Sequence, residues 1–131
     1  MPYVATTRGI RVTVQPVWLE EQSNPAESKY VWAYQVELHN LGEVTVQLRS
    51  RHWIITDARG HVEHVRGSGV VGKQPRIAPG ETFRYTSGCP LKTPSGFMGG
   101  TYRMITMDGD TFDIEIPTFS LDSPHERVVI N

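Results

Sequence analysis

The chain has 131 residues and a formal net charge of −1, with 38% hydrophobic and 21% charged side chains. A chain of this size buries about two-thirds of its unfolded surface and folds as one domain without staples. Its near-neutral balance argues against nucleic acid, which needs a basic face. No apolar run approaches the roughly 18 residues of a membrane span, and a single cysteine, Cys89, permits no internal disulfide and suits a reducing cytoplasm.

The opening stretch MPYVATTRGIRV lacks the apolar core of a secretory signal. Ile10-Arg11-Val12-Thr13-Val14 alternates with a period of two and then meets Pro16, the mark of an edge strand or a bulge. Glu20 to Lys29 is polar, carries Asn24-Pro25, and reads as a loop. Tyr30, Trp32, Tyr34, Val36 and Leu38 line one face of a long strand. Asn40-Leu41-Gly42 turns the chain, and Val44, Val46 and Leu48 form the next face. Trp53-Ile54-Ile55 and His61 to Val65 flank Asp57-Ala58-Arg59-Gly60, a turn with Asp first and Gly last.

Ala78-Pro79-Gly80-Glu81 is another turn, followed by alternating Phe83 and Tyr85. Cys89 to Gly100 is rich in Pro, Gly and Ser and reads as a long loop. Tyr102, Met104 and Thr106, then Phe112, Ile114 and Ile116, flank the turn Asp108-Gly109-Asp110. The expected fold is all-β: a fibronectin type III or immunoglobulin-like antiparallel sandwich of about seven to eight strands, without helices. One domain spans residues 1–131, with its core over about 10–119 and a tail over 120–131. The tail's apolar end, Arg127-Val128-Val129-Ile130-Asn131, either frays or adds a strand to an exposed edge, giving a monomer or a weak homodimer. Tyr102 stands either as a tyrosine corner or as an ordinary aromatic strand residue.

Gly67-Ser68-Gly69-Val70-Val71-Gly72 has the spacing G-x-G-x-x-G of loops that cradle a pyrophosphate. That function needs a helix directly behind the loop, so that free amides and the dipole face the phosphates. Lys73 to Gly80 holds two prolines and a glycine and cannot start that helix. No acidic residue suits the ribose position about 20 residues on. The glycines then serve positive φ and close packing, with Val70 and Val71 as core anchors. The alternative is a nest of amides at Gly67, Ser68, Gly69, Gly72 and Lys73, helped by Arg66 and Arg76, that binds a nucleotide or pyrophosphate.

Five stretches carry a family resemblance: Ser50-Arg51-His52-Trp53-Ile54-Ile55-Thr56-Asp57, Gly67 to Pro75, Pro79-Gly80-Glu81, Tyr85-Thr86-Ser87-Gly88 and Gly96 to Tyr102. R-H-W-I-I-T-D followed by G-x-G-V-V-G-x-Q-P resembles the ApaG family, also called CorD, from about Ile10 to Leu121. The resemblance implies a fibronectin type III-like sandwich in small bacterial cytoplasmic proteins without a known catalytic activity. It also implies a link to cobalt tolerance and magnesium efflux, and a gene neighbourhood with a diadenosine tetraphosphate hydrolase. Similar domains end eukaryotic F-box and polymerase-interacting proteins, where they look like partner-binding modules.

The functional expectation is therefore a non-enzymatic module that binds an unidentified protein partner and needs no cofactor. Its candidate surface joins the two long loops at one end of the sandwich: Arg51, Arg66, Gly67, Gly69, Gly72, Lys73, Gln74, Pro75 and Phe97. Arg51 is expected on the surface; Trp18, Trp32 and Trp53 are expected in the core. No spacing resembles a structural zinc site. His61 and Glu63 share a strand face, and with His52 on a partner strand they make a weak candidate for a divalent ion. Cys89 lacks an evident activating base, and no acid, base and nucleophile converge.

Overall fold

A computed structural model describes residues 2–125. The strands, in chain order, are β1 (Tyr3–Thr7), β2 (Ile10–Trp18), β3 (Tyr30–Asn40), β4 (Val46–Asp57), β5 (Val62–Ser68), β6 (Arg76–Ile77), β7 (Thr82–Leu91), β8 (Ser95–Thr106) and β9 (Thr111–Asp122). One antiparallel sheet runs β1-β2-β3-β7; the other runs β5-β4-β8-β9, with β6 paired to β4. The sandwich expected from alternation is thus present, with nine strands among the described residues instead of seven or eight. Among the described residues the only helical element is a 3-10 turn, Pro25–Glu27, inside the loop expected there. None of it is long and apolar enough to cross a membrane.

The differences have local causes. β1 lies outside the expected core because its pattern, YVATT, is too short and mixed to read; it pairs with β2 through a turn at Arg8 and Gly9, both at positive φ. Val46–Asp57 is one strand that reads as two because a bulge between Leu48 and Ser50 shifts its phase. Before the bulge Val46 and Leu48 face the core; after it the inward positions are Arg51, Trp53 and Ile55. β9 changes phase in the same way, from Ile114 and Ile116 to Phe119 and Leu121. It also carries Ser120–Asp122, residues expected in the tail. The apolar end Arg127–Asn131 lies outside the described residues.

Cys89 to Gly100 is a correction. It is the end of β7, a turn at Lys92-Thr93-Pro94, and the start of β8. Pro90 is tolerated because β7 is an edge strand. Gly100 is required because a Cβ there would run into the His52 carbonyl of the neighbouring strand. Pro16 also sits where β2 has run past its β1 partner, as an edge proline should.

The core fills from both sheets. Trp53 packs edge-on to Tyr34 and Phe119, with ring centroids 5.1 and 6.0 Å apart. Trp32 is fully buried and its indole N–H donates to the Asp122 carbonyl at 2.8 Å, crossing between the sheets. Each such large side chain contributes about 1.5–3 kcal/mol of burial free energy. Tyr102 is fully buried, but its hydroxyl meets that of Tyr85 on the opposite sheet, so the corner reading does not hold. Buried Asn40 donates to the carbonyls of Val44 and Ile77 and accepts from the Gly42 amide, which anchors two turns. β1 and β2 close over β9 on one side. On the other side β5 and β7, which among the described residues are edge strands, leave a groove between the sheets.

Candidate functional site

Gly67 and Ser68 are the last residues of β5, opposite Arg51 and Ser50. Beyond them the chain makes a two-residue hairpin turn. Val70 N–H donates to the Lys73 carbonyl at 2.8 Å and Lys73 N–H returns to Val70 at 2.9 Å. Val71 and Gly72, at φ 45° and 77°, are the two left-handed positions that a type I′ turn demands. Strand β6 follows, and no helix. The amides of Gly69, Val70 and Lys73 are all spent on backbone carbonyls. Val70 is buried as expected, but Val71 is 53% exposed at the tip: consecutive residues of a tight turn cannot both reach the core.

Arg51 is a second correction. The bulge in β4 turns it inward, so it is half-buried beneath the glycine turn. Its Nη1 donates to the carbonyls of Ser68 at 3.0 Å and Gly69 at 2.8 Å. With Tyr34, Trp53, Tyr85, Ser87 and the turn it lines a cavity of about 280 Å³ between the sheets. Burial raises the phenol pKa of Tyr34, Tyr85 and Tyr102, and in each case Arg51 pulls the other way.

At the far end of the same groove lies a cavity of about 460 Å³ lined by Lys29, Ile55, His61, Glu63, Leu91 and Lys92, among others. Asp57 also borders it, accepting from the amides of Arg59 and His61 to hold the β4–β5 turn. Cys89 is buried, and burial, with Glu63 second, pushes its thiol up to about 11. A thiol so placed is not an activated nucleophile.

The outer face of the second sheet carries the remaining candidates. His52 meets His64, with Nε2 and Nδ1 2.9 Å apart. Burial, then Arg66 and His64, lower the His52 imidazole pKa against the pull of Asp113. His52 is opposite Arg66, so strand parity puts Glu63 on the other face. The expected trio of His52, His61 and Glu63 is therefore split, and among the described residues no three such ligands gather. The two expected loops are also apart. Gly69 bonds to Arg49, whereas the β7–β8 turn bonds to Ala58, about 30 Å along the strand at about 3.3 Å per residue. Phe97 consequently leaves Arg51 and joins Val62 and Ile54, which the sequence reading had not singled out.

The ApaG domain model matches residues 20–106 of this chain. Protein ApaG of Methylorubrum extorquens is 60% identical over 129 residues, covering 98% of this chain and 99% of that protein. The chain belongs to the ApaG family. Protein ApaG of Rhodospirillum centenum is 60% identical over 125 residues, 95% of this chain and 96% of that one. A crystal structure of an ApaA protein from Bordetella pertussis, 50% identical, superposes with a TM-score of 0.85 over 89% of this chain and 95% of its own. The expected family and fold therefore hold. Within this ApaG-family chain, R-H-W-I-I-T-D forms the part of strand β4 that follows the bulge, and G-x-G-V-V-G the hairpin that Arg51 props.

Proposed function

We propose that the chain is a non-enzymatic protein-interaction module that engages its partner through the outer face and free edge of the second sheet. One observation carries this reading. Val62, Ile54 and Phe97, on adjacent strands β5, β4 and β8, share one face and are 47%, 37% and 48% exposed. A cluster of large apolar side chains rimmed by Arg66, His52 and His64 has the make-up of an interface centre with a polar rim. The β5 edge beside it, unpaired among the described residues, offers its backbone groups to an added strand.

The buried, protonated Cys89, and histidines that among the described residues gather with no further metal ligand, support a role without covalent chemistry. A nucleotide or pyrophosphate sensor at Gly67, Ser68, Gly69, Gly72 and Lys73 is the weaker reading, because the amides of Val70 and Lys73 are spent within the turn and that of Gly69 on Arg49. The link to cobalt tolerance and magnesium efflux, carried by the CorD resemblance, then runs through a cytoplasmic partner instead of a resident ion. Capture of partners from lysate by the wild-type chain and by F97S and V62S tests this. A protein retained by the wild type and lost from both variants, with circular dichroism unchanged, is the expected result. Equal retention by all three removes this face from the function.

A further inference from the structure

Arg51 is a half-buried cation without a counter-charge. Nη1 is occupied by the Ser68 and Gly69 carbonyls. Nε and Nη2 make no hydrogen bond among the described residues, and no carboxylate there lies within ion-pair distance. The guanidinium is held in place, since it covers Gly67 so closely that a Cβ there would lie 2.8 Å from Nη2. The remaining fork, Nε with Nη2, is the edge that grips two oxygens of a carboxylate or phosphate at once. Other donors share the cavity: the hydroxyls of Tyr34 and Ser87, which bond to each other, and Gly72, whose N–H has no acceptor among the described residues. No acidic side chain lines it, and its volume of about 280 Å³ suits one small anionic group.

We propose that this cavity is an oxyanion site, in which Arg51 binds the carboxylate or phosphate group of a small ligand and Tyr34 and Ser87 donate to the same group. The site lies on the inner side of the glycine turn, between the sheets, and stands independently of the partner face on β4, β5 and β8. It assigns separate tasks to the G-x-G-x-x-G residues. Gly67 makes room for the guanidinium, and the Gly69 carbonyl helps to fix it.

The test is an NMR titration of the full chain that follows the Arg51 Nε–Hε signal and the Gly72 and Ser87 amides. Inorganic phosphate and acetate are added separately, with chloride replaced to hold ionic strength constant. A saturable shift of all three signals is expected with at least one anion. Saturation by phosphate alone assigns a phosphoryl ligand; saturation by acetate alone assigns a carboxylate. R51K should weaken the apparent affinity by about tenfold, because a point charge replaces a fork. S87A leaves the charge and the turn in place and should weaken it by about threefold or more. An Arg51 signal that stays still, that tracks chloride equally, or that saturates alike in wild type and S87A overturns the proposal and leaves Arg51 as a prop for the turn.

Discussion

The Arg51 guanidinium covers the Cα of Gly67: a Cβ built there would lie 2.8 Å from Nη2 and 2.9 Å from both Cζ and Nη1. At Gly69 a Cβ would run into the Lys73 carbonyl, and φ is 61°. At Gly72 nothing lies within 4 Å and only the φ of 77° resists a side chain. Alanine at the three positions should therefore separate them. Gly72→Ala should cost about 1–2 kcal/mol, Gly67→Ala about 1–3 kcal/mol, and Gly69→Ala about 3 kcal/mol or more. Urea midpoints in that order are expected, and equal losses at Gly72 and Gly69 would contradict the hairpin geometry.

Val71 is a β-branched residue at φ 45°, half-exposed at the tip of that hairpin. Left-handed backbone costs such a residue about 1–2 kcal/mol that Asn largely avoids. Val71→Asn, which creates the preferred Asn-Gly turn pair, should stabilise the fold by about 1 kcal/mol. A raised urea midpoint with an unchanged slope is the readout. A lowered midpoint would mean that Val71 makes packing contacts in solution.

The hydroxyls of Tyr85 and Tyr102 satisfy each other between the sheets. Removing one leaves the other buried and unpaired, at a cost of about 1–3 kcal/mol. Removing both leaves no orphan. Y85F and Y102F should each destabilise, and the double variant should lose less than the sum by about 1 kcal/mol. Strict additivity in the double-mutant cycle would show that the two hydroxyls do not interact.

Burial raises the Cys89 thiol pKa from 9.0 to about 11 and also raises those of Tyr85 and Tyr102. The unfolded chain releases these protons first, so it binds fewer protons than the folded chain in alkali. Stability is then complete below about pH 9 and falls as pH rises through the Cys89 window and on into the tyrosine range. The Cys89 part amounts to about 2 kcal/mol by about pH 11 and should vanish from C89S. At about pH 8 a thiol reagent should modify Cys89 about 100-fold more slowly than an exposed cysteine. Rapid modification would show that the groove opens to the thiol.

What the sequence determined by itself is what local chemistry encodes. Alternation in Tyr30 to Leu38, the turns at Asp57, Pro79 and Gly109, and the absence of helical periodicity suffice for an antiparallel sandwich. The proline-rich segment behind Gly72 likewise excludes a phosphate-binding helix, because proline rules do not depend on distant contacts. The phase jumps of β4 and β9, from Leu48 to Trp53 and from Ile116 to Phe119, were also open to a parity count. Such a count would have turned Arg51 inward.

Only the tertiary structure decided which residues meet. One extra residue in a strand reverses every side chain after it, and nothing local states which neighbour will absorb the bulge. Placing Arg51 against Gly67, Tyr85 against Tyr102, and Phe97 on the same face as Val62 instead of beside the glycine turn took the register of strands far apart in the chain. Those pairings are fixed by the packing of two sheets together, a condition that no single segment of the sequence contains.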